Sequence, residues 1–307
     1  MGKTDTAMQS YLGDKRRFAD LFNGVFFQGK TVINACDLQE ASERYADTEG
    51  QGANRFRDIK MFLNNGCCLR ILAVENQLNI DYTMPYRCMQ YDSMEYGKQL
   101  RELKARNREQ KKLRTAAERL CGMTREDRLV PVYTLCLYHG EEPWDGPLSL
   151  GDMMDFGDDS QGIRQYFANY PLRLFCVNEA ESFDMFHTEL RELFGAMKYR
   201  RDKKRLRELL ERDEAYSGMS ADTVRTLSVL LNIPWLWKKR RRYMSKKEYK
   251  EEYDMCQAIR EWREDDKAEG RDEARKTIVL NMLKKGFSDE EICELTECTP
   301  DFIDRLR

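Results

Sequence analysis

The chain has 307 residues, with 52 Lys and Arg against 54 Asp and Glu and a formal net charge of -2. That length is enough for one large core or two modest ones. The balanced charge excludes a global field drawing the protein to nucleic acid, so any such attraction has to come from local patches.

No apolar run approaches the ~18 residues of a membrane span, and no signal peptide opens the chain; a cytoplasmic protein without a membrane partner is expected. The ten Cys are scattered, several of them (Cys67, Cys68, Cys136, Cys176) inside apolar runs, and no CxxC spacing occurs. They read as reduced core thiols. With only His139 and His187 present, zincin motifs and His-rich metal clusters are excluded. His139 ends an apolar run and reads as a strand-end residue.

Residues 11–27 are predicted to be a helix, because Phe18, Leu21, Phe22 and Val25 recur at helical spacing and Asp14 is placed to cap it. Residues 29–50 are polar and turn-like. Strands are predicted over 55–63 and 67–75, joined by Asn64-Asn65-Gly66, a hairpin signal. Thr83 with Pro85 starts a helix whose face carries Met89, Ser93, Tyr96, Leu100 and Leu103, and the pattern runs to about residue 120. The nearly continuous apolar run at 130–138 is typical of a buried central strand. A last strand is expected at 172–177, then helices at 182–197, 201–214 and 219–232. This order predicts an α/β fold over residues 1–235, a small mixed sheet flanked by helices.

Residues 236–307 are expected to form an all-helical appendage. It opens with a basic cluster that includes Lys238, Lys239, Arg240, Arg241 and Arg242, interleaved with Tyr243 and Tyr249. That cluster and the basic second half of the long helix, including Arg106, Arg108, Lys111 and Lys112, suit phosphate contacts. A solvated helix surface is the ordinary alternative. In the tail, 276–285 is amphipathic, Gly286 is placed as a C-cap, and Ser288 with Glu291 makes a capping box. The order is that of a helix-turn-helix. However, Glu297 stands where a turn Gly is usual, so a tail for protein contacts or homo-oligomerisation is expected over a DNA reader.

The chemistry concentrates in residues 57–91. Asp58 begins one strand and Glu75 ends its hairpin partner, each beside apolar runs where an uncompensated carboxylate is costly. Two such carboxylates around Mg²⁺ are one compensation, since that ion takes oxygen ligands and keeps several waters. Side chains alternate along a strand, so Gln77 shares the face of Glu75 while Asn76 points away. Arg87 and Tyr91 lie one helical turn apart. They read either as phosphate contacts or as a packed pair serving Asp81 or Asp92.

Asp58-Ile59, Glu75-Asn76-Gln77, Asp81, Met84, Arg87 and Tyr91 form one block that resembles the recombination-promoting nuclease family of transposase-like proteins, within the PD-(D/E)XK nuclease superfamily. Looser similarity covers Arg17-Phe18-Ala19-Asp20-Leu21-Phe22-Asn23, Leu137-Tyr138-His139-Gly140 with Pro143-Trp144, and 194–203. The resemblance implies a restriction-endonuclease-like core in a bacterial protein. It also implies a Mg²⁺- or Mn²⁺-dependent DNA endonuclease linked to recombination or mobile elements. Asp58 and Glu75 then stand for the metal-binding acids, and Gln77 stands where the wider superfamily has Lys. Asp20 is the nearest candidate for a further acid from the first helix. The alternative is a nuclease-fold DNA-binding or scaffold protein that cleaves weakly or not at all.

Overall fold

The computed structural model describes residues 2–40, 58–64, 66, 69–158, 162–247 and 250–306. Residues 41–50, the expected strand positions 55–57, Asn65 of the expected turn, Cys67, Cys68 and Tyr249 lie outside them.

The chain opens with a helix α1, Lys3–Leu12, which stops at Gly13. Asp14 then accepts hydrogen bonds from the backbone N–H groups of Arg16 and Arg17 and starts α2, Lys15–Phe27. The single helix expected over 11–27 is therefore the second of two. Five strands follow: β1 (Leu38–Glu40), β2 (Ile59–Asn64), β3 (Leu69–Gln77), β4 (Val132–Tyr138) and β5 (Leu174–Cys176). They form one sheet in the order β1-β2-β3-β4-β5. The first three strands are antiparallel, while β4 and β5 continue parallel to β3. At the β2–β3 turn, Gly66 has φ +80°, a region open to Gly without strain.

A parallel pair needs a long crossover, and α3 (Met84–Glu109) supplies it between β3 and β4. Its buried positions are Met84, Pro85, Cys88, Tyr91, Asp92, Leu103 and Asn107, not the expected stripe through Met89 and Ser93. Two of them, Asp92 and Asn107, are polar, and each is tied by hydrogen bonds to residues distant in the chain. Asp92 accepts from the Thr134 and Tyr170 hydroxyls at 2.7 and 2.6 Å. Asn107 donates to the Gly122 carbonyl and to Asp127. The helix also ends sooner than expected. Lys111 takes φ +50°, and a separate short α4, Ala116–Cys121, begins with a Thr115–Glu118 capping box.

After β5 the structure places α5 (Leu190–Lys198), α6 (Lys203–Arg212), α7 (Ala221–Leu230) and α8 (Pro234–Lys238). The expected helix at 182–197 therefore starts late, and the turn before it carries Phe183 and Phe186 into the core. Phe186 packs edge-on against Phe194 at 5.3 Å between ring centroids. A Cβ on Gly24 would lie 2.3 Å from the Phe186 ring, so only glycine lets α2 approach it.

The chain divides into two compact units, Met1–Leu206 with Ser220–Lys238 and Arg207–Met219 with Lys239–Arg307. In the second, α9 (Arg240–Tyr243) leads into an antiparallel hairpin of β7 (Met244–Lys247) and β8 (Lys250–Tyr253), and a short β6 (Met219–Ser220) adds to β8. The appendage is thus not all-helical. A charged run without hydrophobic periodicity does not distinguish strand from helix. Helices α10 (Met255–Lys284), α11 (Asp289–Thr296) and α12 (Pro300–Asp304) complete it. Val279, Ile292 and Ile303 form a small core under them. Gly286 ends α10 with φ +84°, while its N–H donates to Leu283 and that of Phe287 to Met282, a Schellman closure. Glu297 takes φ +53° where glycine is usual.

Candidate metal and phosphate site

The β2–β3 register sets Ile59 opposite Val74. One step further out, Asp58 meets the end of β3, and its Oδ2 accepts the backbone N–H of Asn76 at 2.7 Å. The Asp58 carbonyl accepts a hydrogen bond from the Gln9 side chain of α1. Glu75 is 1% exposed, and alternation along β3 turns it with Gln77 to one face. Arg87 of α3 meets it there, with Nη2 3.9 Å from Oε2. Arg87 also forms an ion pair with Asp81 and a hydrogen bond with Tyr91. Asp81 in turn accepts from the Thr83 N–H and hydroxyl at 2.8 and 2.6 Å, so Thr83 precedes α3 without capping it through its side chain.

Asp58, Glu75 and Arg87 therefore gather at one end of the sheet, and half-buried Gln77 closes β3 beside them. Burial pushes the Asp58 carboxyl above its ordinary range. The Asn76 N–H and the Arg87 charge pull it back only in part, and Asp5 pushes it further up. A carboxylate held up in this way gains from a nearby cation. Asp5 lies on α1 one turn before Gln9. The helix expected over 11–27 does not include it, because α1 is a separate helix.

Asp20 serves elsewhere. It is buried, and its carboxylate accepts the backbone N–H groups of His187 and Thr188 at 2.9 and 2.7 Å and the Thr188 hydroxyl at 2.6 Å. It anchors the turn before α5. Its neighbours on α2 are tethers as well. Asn23 bonds Val32 and Ile33, and Arg17 pairs with Asp222. Tyr91, 6% exposed, lies beneath Arg87, where its hydroxyl supports the guanidinium and is removed from direct phosphate contact. Arg87 is half-buried and keeps its rim position.

The basic cluster divides between the units. Lys238 ends a segment of the first, and Lys239, Arg240, Arg241 and Arg242 belong to the second. Arg242 pairs with Glu261 at 2.8 Å.

Among the described residues, no group of three or more His, Cys, Asp and Glu side chains could hold a metal ion. Asp58 and Glu75 offer two carboxylates, the number Mg²⁺ takes from a protein when it keeps its waters. His139 follows β4, is 1% exposed and donates its backbone N–H to the Gln77 carbonyl at 3.0 Å. Burial, and then the Arg200 charge, push its imidazole down to about 4, so it is neutral at pH 7. No helix among the described residues is long and apolar enough to cross a membrane. Comparison of the chain with protein-family models, with curated proteins and with solved structures finds no match.

Proposed function

We propose that the chain is a Mg²⁺- or Mn²⁺-dependent DNA endonuclease of the recombination-promoting type, hydrolysing phosphodiester bonds at the Asp58–Glu75 end of the sheet. The observation that carries this reading is that Asp58 is held to the backbone of Asn76, beside Glu75, that Arg87 stands 3.9 Å from Glu75, and that burial pushes the Asp58 carboxyl up. The five-stranded mixed sheet with flanking helices supports the restriction-endonuclease-like reading of the fold.

The donor set suits a hard divalent ion. Asp58 and Glu75 would hold it, with the Asn76 carbonyl as a further oxygen. Bound there, such an ion supplies a water of lowered pKa and offsets charge growing on the phosphate. Gln77 orients the attacking water by hydrogen bonding and brings no charge of its own. Arg87, fixed by Asp81 and Tyr91, meets a phosphate oxygen at the rim.

A second reading, a nuclease-fold DNA-binding or scaffold protein, is favoured by one observation. The Asp58 carboxylate already ties β2 to β3, a structural use that needs no metal. Plasmid nicking with and without Mg²⁺, together with thermal unfolding across a Mg²⁺ titration, separates the two. An endonuclease nicks only with the ion and gains stability from it; a scaffold does neither.

A further inference from the structure

Residues 101–128 hold ten Lys and Arg against five Asp and Glu, in a chain whose total charge is -2. This is the stretch where α3 ends early and α4 folds back. Arg106, Arg108, Lys111, Lys112, Arg114 and Arg119 are all exposed. None of these six side chains forms an ion pair within 4.0 Å with a described residue, whereas Arg242 of the other basic cluster is paired with Glu261.

The knob is a built structure. Asn107, fully buried, ties the end of α3 to the Gly122 carbonyl at 3.2 Å and to Asp127 at 2.7 Å. Asp127 also accepts the Thr124 N–H at 2.7 Å. Gly122 has φ +76°, and a Cβ there would lie 2.7 Å from the Lys104 side chain, so the return toward α3 depends on glycine. Exposed like charges repel one another and weaken the fold unless a polyanion meets them. A fixed scaffold presenting them spends little ordering entropy on binding.

The knob belongs to the same compact unit as the Asp58–Glu75 site. From Arg87 to Arg106 along α3 is roughly 28 Å at the helical rise, or roughly eight base-pair steps of duplex. We propose that the knob is a second phosphate-binding surface, which grips the duplex DNA backbone roughly eight base pairs from the point engaged at Arg87. The proposal rests on the DNA reading above and adds the extent of the contact.

The test is binding of the full chain to a 24-base-pair duplex in EDTA, across a salt titration. It compares the parent with a triple variant, Arg106→Gln, Arg108→Gln and Lys112→Gln, and with an equal-charge control, Lys203→Gln, Lys204→Gln and Arg205→Gln, also at exposed positions. The knob variant is expected to lower the slope of log affinity against log salt by roughly two to three units, about 0.9 per phosphate contact. The control leaves it nearly unchanged. Equal slopes for parent and knob variant overturn the proposal, as do equal losses in the two variants, which would reflect net charge alone. A loss seen on duplex RNA but not on duplex DNA also overturns it. Because no divalent ion is present, the result is independent of cleavage. A slope change with no Mg²⁺-dependent nicking keeps the grip and rejects the nuclease. Nicking with an unchanged slope does the reverse.

Discussion

Asp58 is bonded to Asn76, the residue between Glu75 and Gln77: its Oδ2 accepts the Asn76 N–H at 2.7 Å. One hydrogen bond thus ties the acid just before β2 to the β3 backbone between Glu75 and Gln77. Asn at position 58 retains an acceptor oxygen, so Asp58→Asn should keep the fold and lose only charge. Asp58→Ala leaves the Asn76 N–H without that acceptor and should cost about 1–2 kcal/mol in urea unfolding. Equal stability of the two variants would mean that this bond contributes nothing to strand pairing.

Gln77 ends β3 on the Glu75 face. A neutral amide positions water without offsetting charge. Gln77→Ala should slow single-turnover cleavage at saturating Mg²⁺ on the order of 10–100-fold, less than loss of a strong transition-state donor. Metal affinity should stay nearly constant. Gln77→Lys should retain more rate than Ala, since an ammonium donates to similar oxygens. A Gln77→Ala rate equal to the parent's removes the residue from the mechanism.

Asp20 gives a contrasting expectation. Its carboxylate collects two backbone donors and one hydroxyl at the 187–188 turn. Asp20→Ala leaves these buried groups unsatisfied and should lower stability by about 2–4 kcal/mol. Mg²⁺ affinity, measured by titration calorimetry below the unfolding temperature, should not change. Weakened Mg²⁺ binding with full stability would return Asp20 to the metal site.

His139 predicts a pH dependence. Its imidazole is held down to about 4, against 6.5 when unfolded. Between those values the unfolded chain takes up a proton that the folded chain refuses. Stability is therefore full above pH 6.5 and lost as pH falls toward 4, by about 3 kcal/mol. His139→Phe should flatten that part of the stability–pH curve. Identical curves for parent and variant would show that His139 titrates in the fold as it does in water.

That Asp58 meets the end of β3 is legible in the sequence because strand alternation and a short turn leave few registers open. The buried β4 and the Asp14 cap are legible for similarly local reasons. The buried face of α3 is not, since Asp92 and Asn107 lie on it and are hydrogen-bonded to Thr134, Tyr170, Gly122 and Asp127, residues distant in the chain. The break at Lys111 is hidden too, because a Lys adopts the left-handed conformation there and no Gly or Pro announces it. Asp5 escapes because its relation to Asp58 exists only once α1 packs beside β3. Asp20 misleads because a buried helix carboxylate looks the same in sequence whether it binds metal or anchors a turn.

The most direct measurement is Mg²⁺-dependent nicking of supercoiled plasmid by the parent, Asp58→Asn and Glu75→Gln, at matched metal and with unfolding curves recorded alongside. The site proposed here predicts nicking by the parent only with the divalent ion, and a loss on the order of 100-fold or more in each variant, with the fold retained. Parent-like nicking by both folded variants, or nicking by the parent in EDTA, would contradict it.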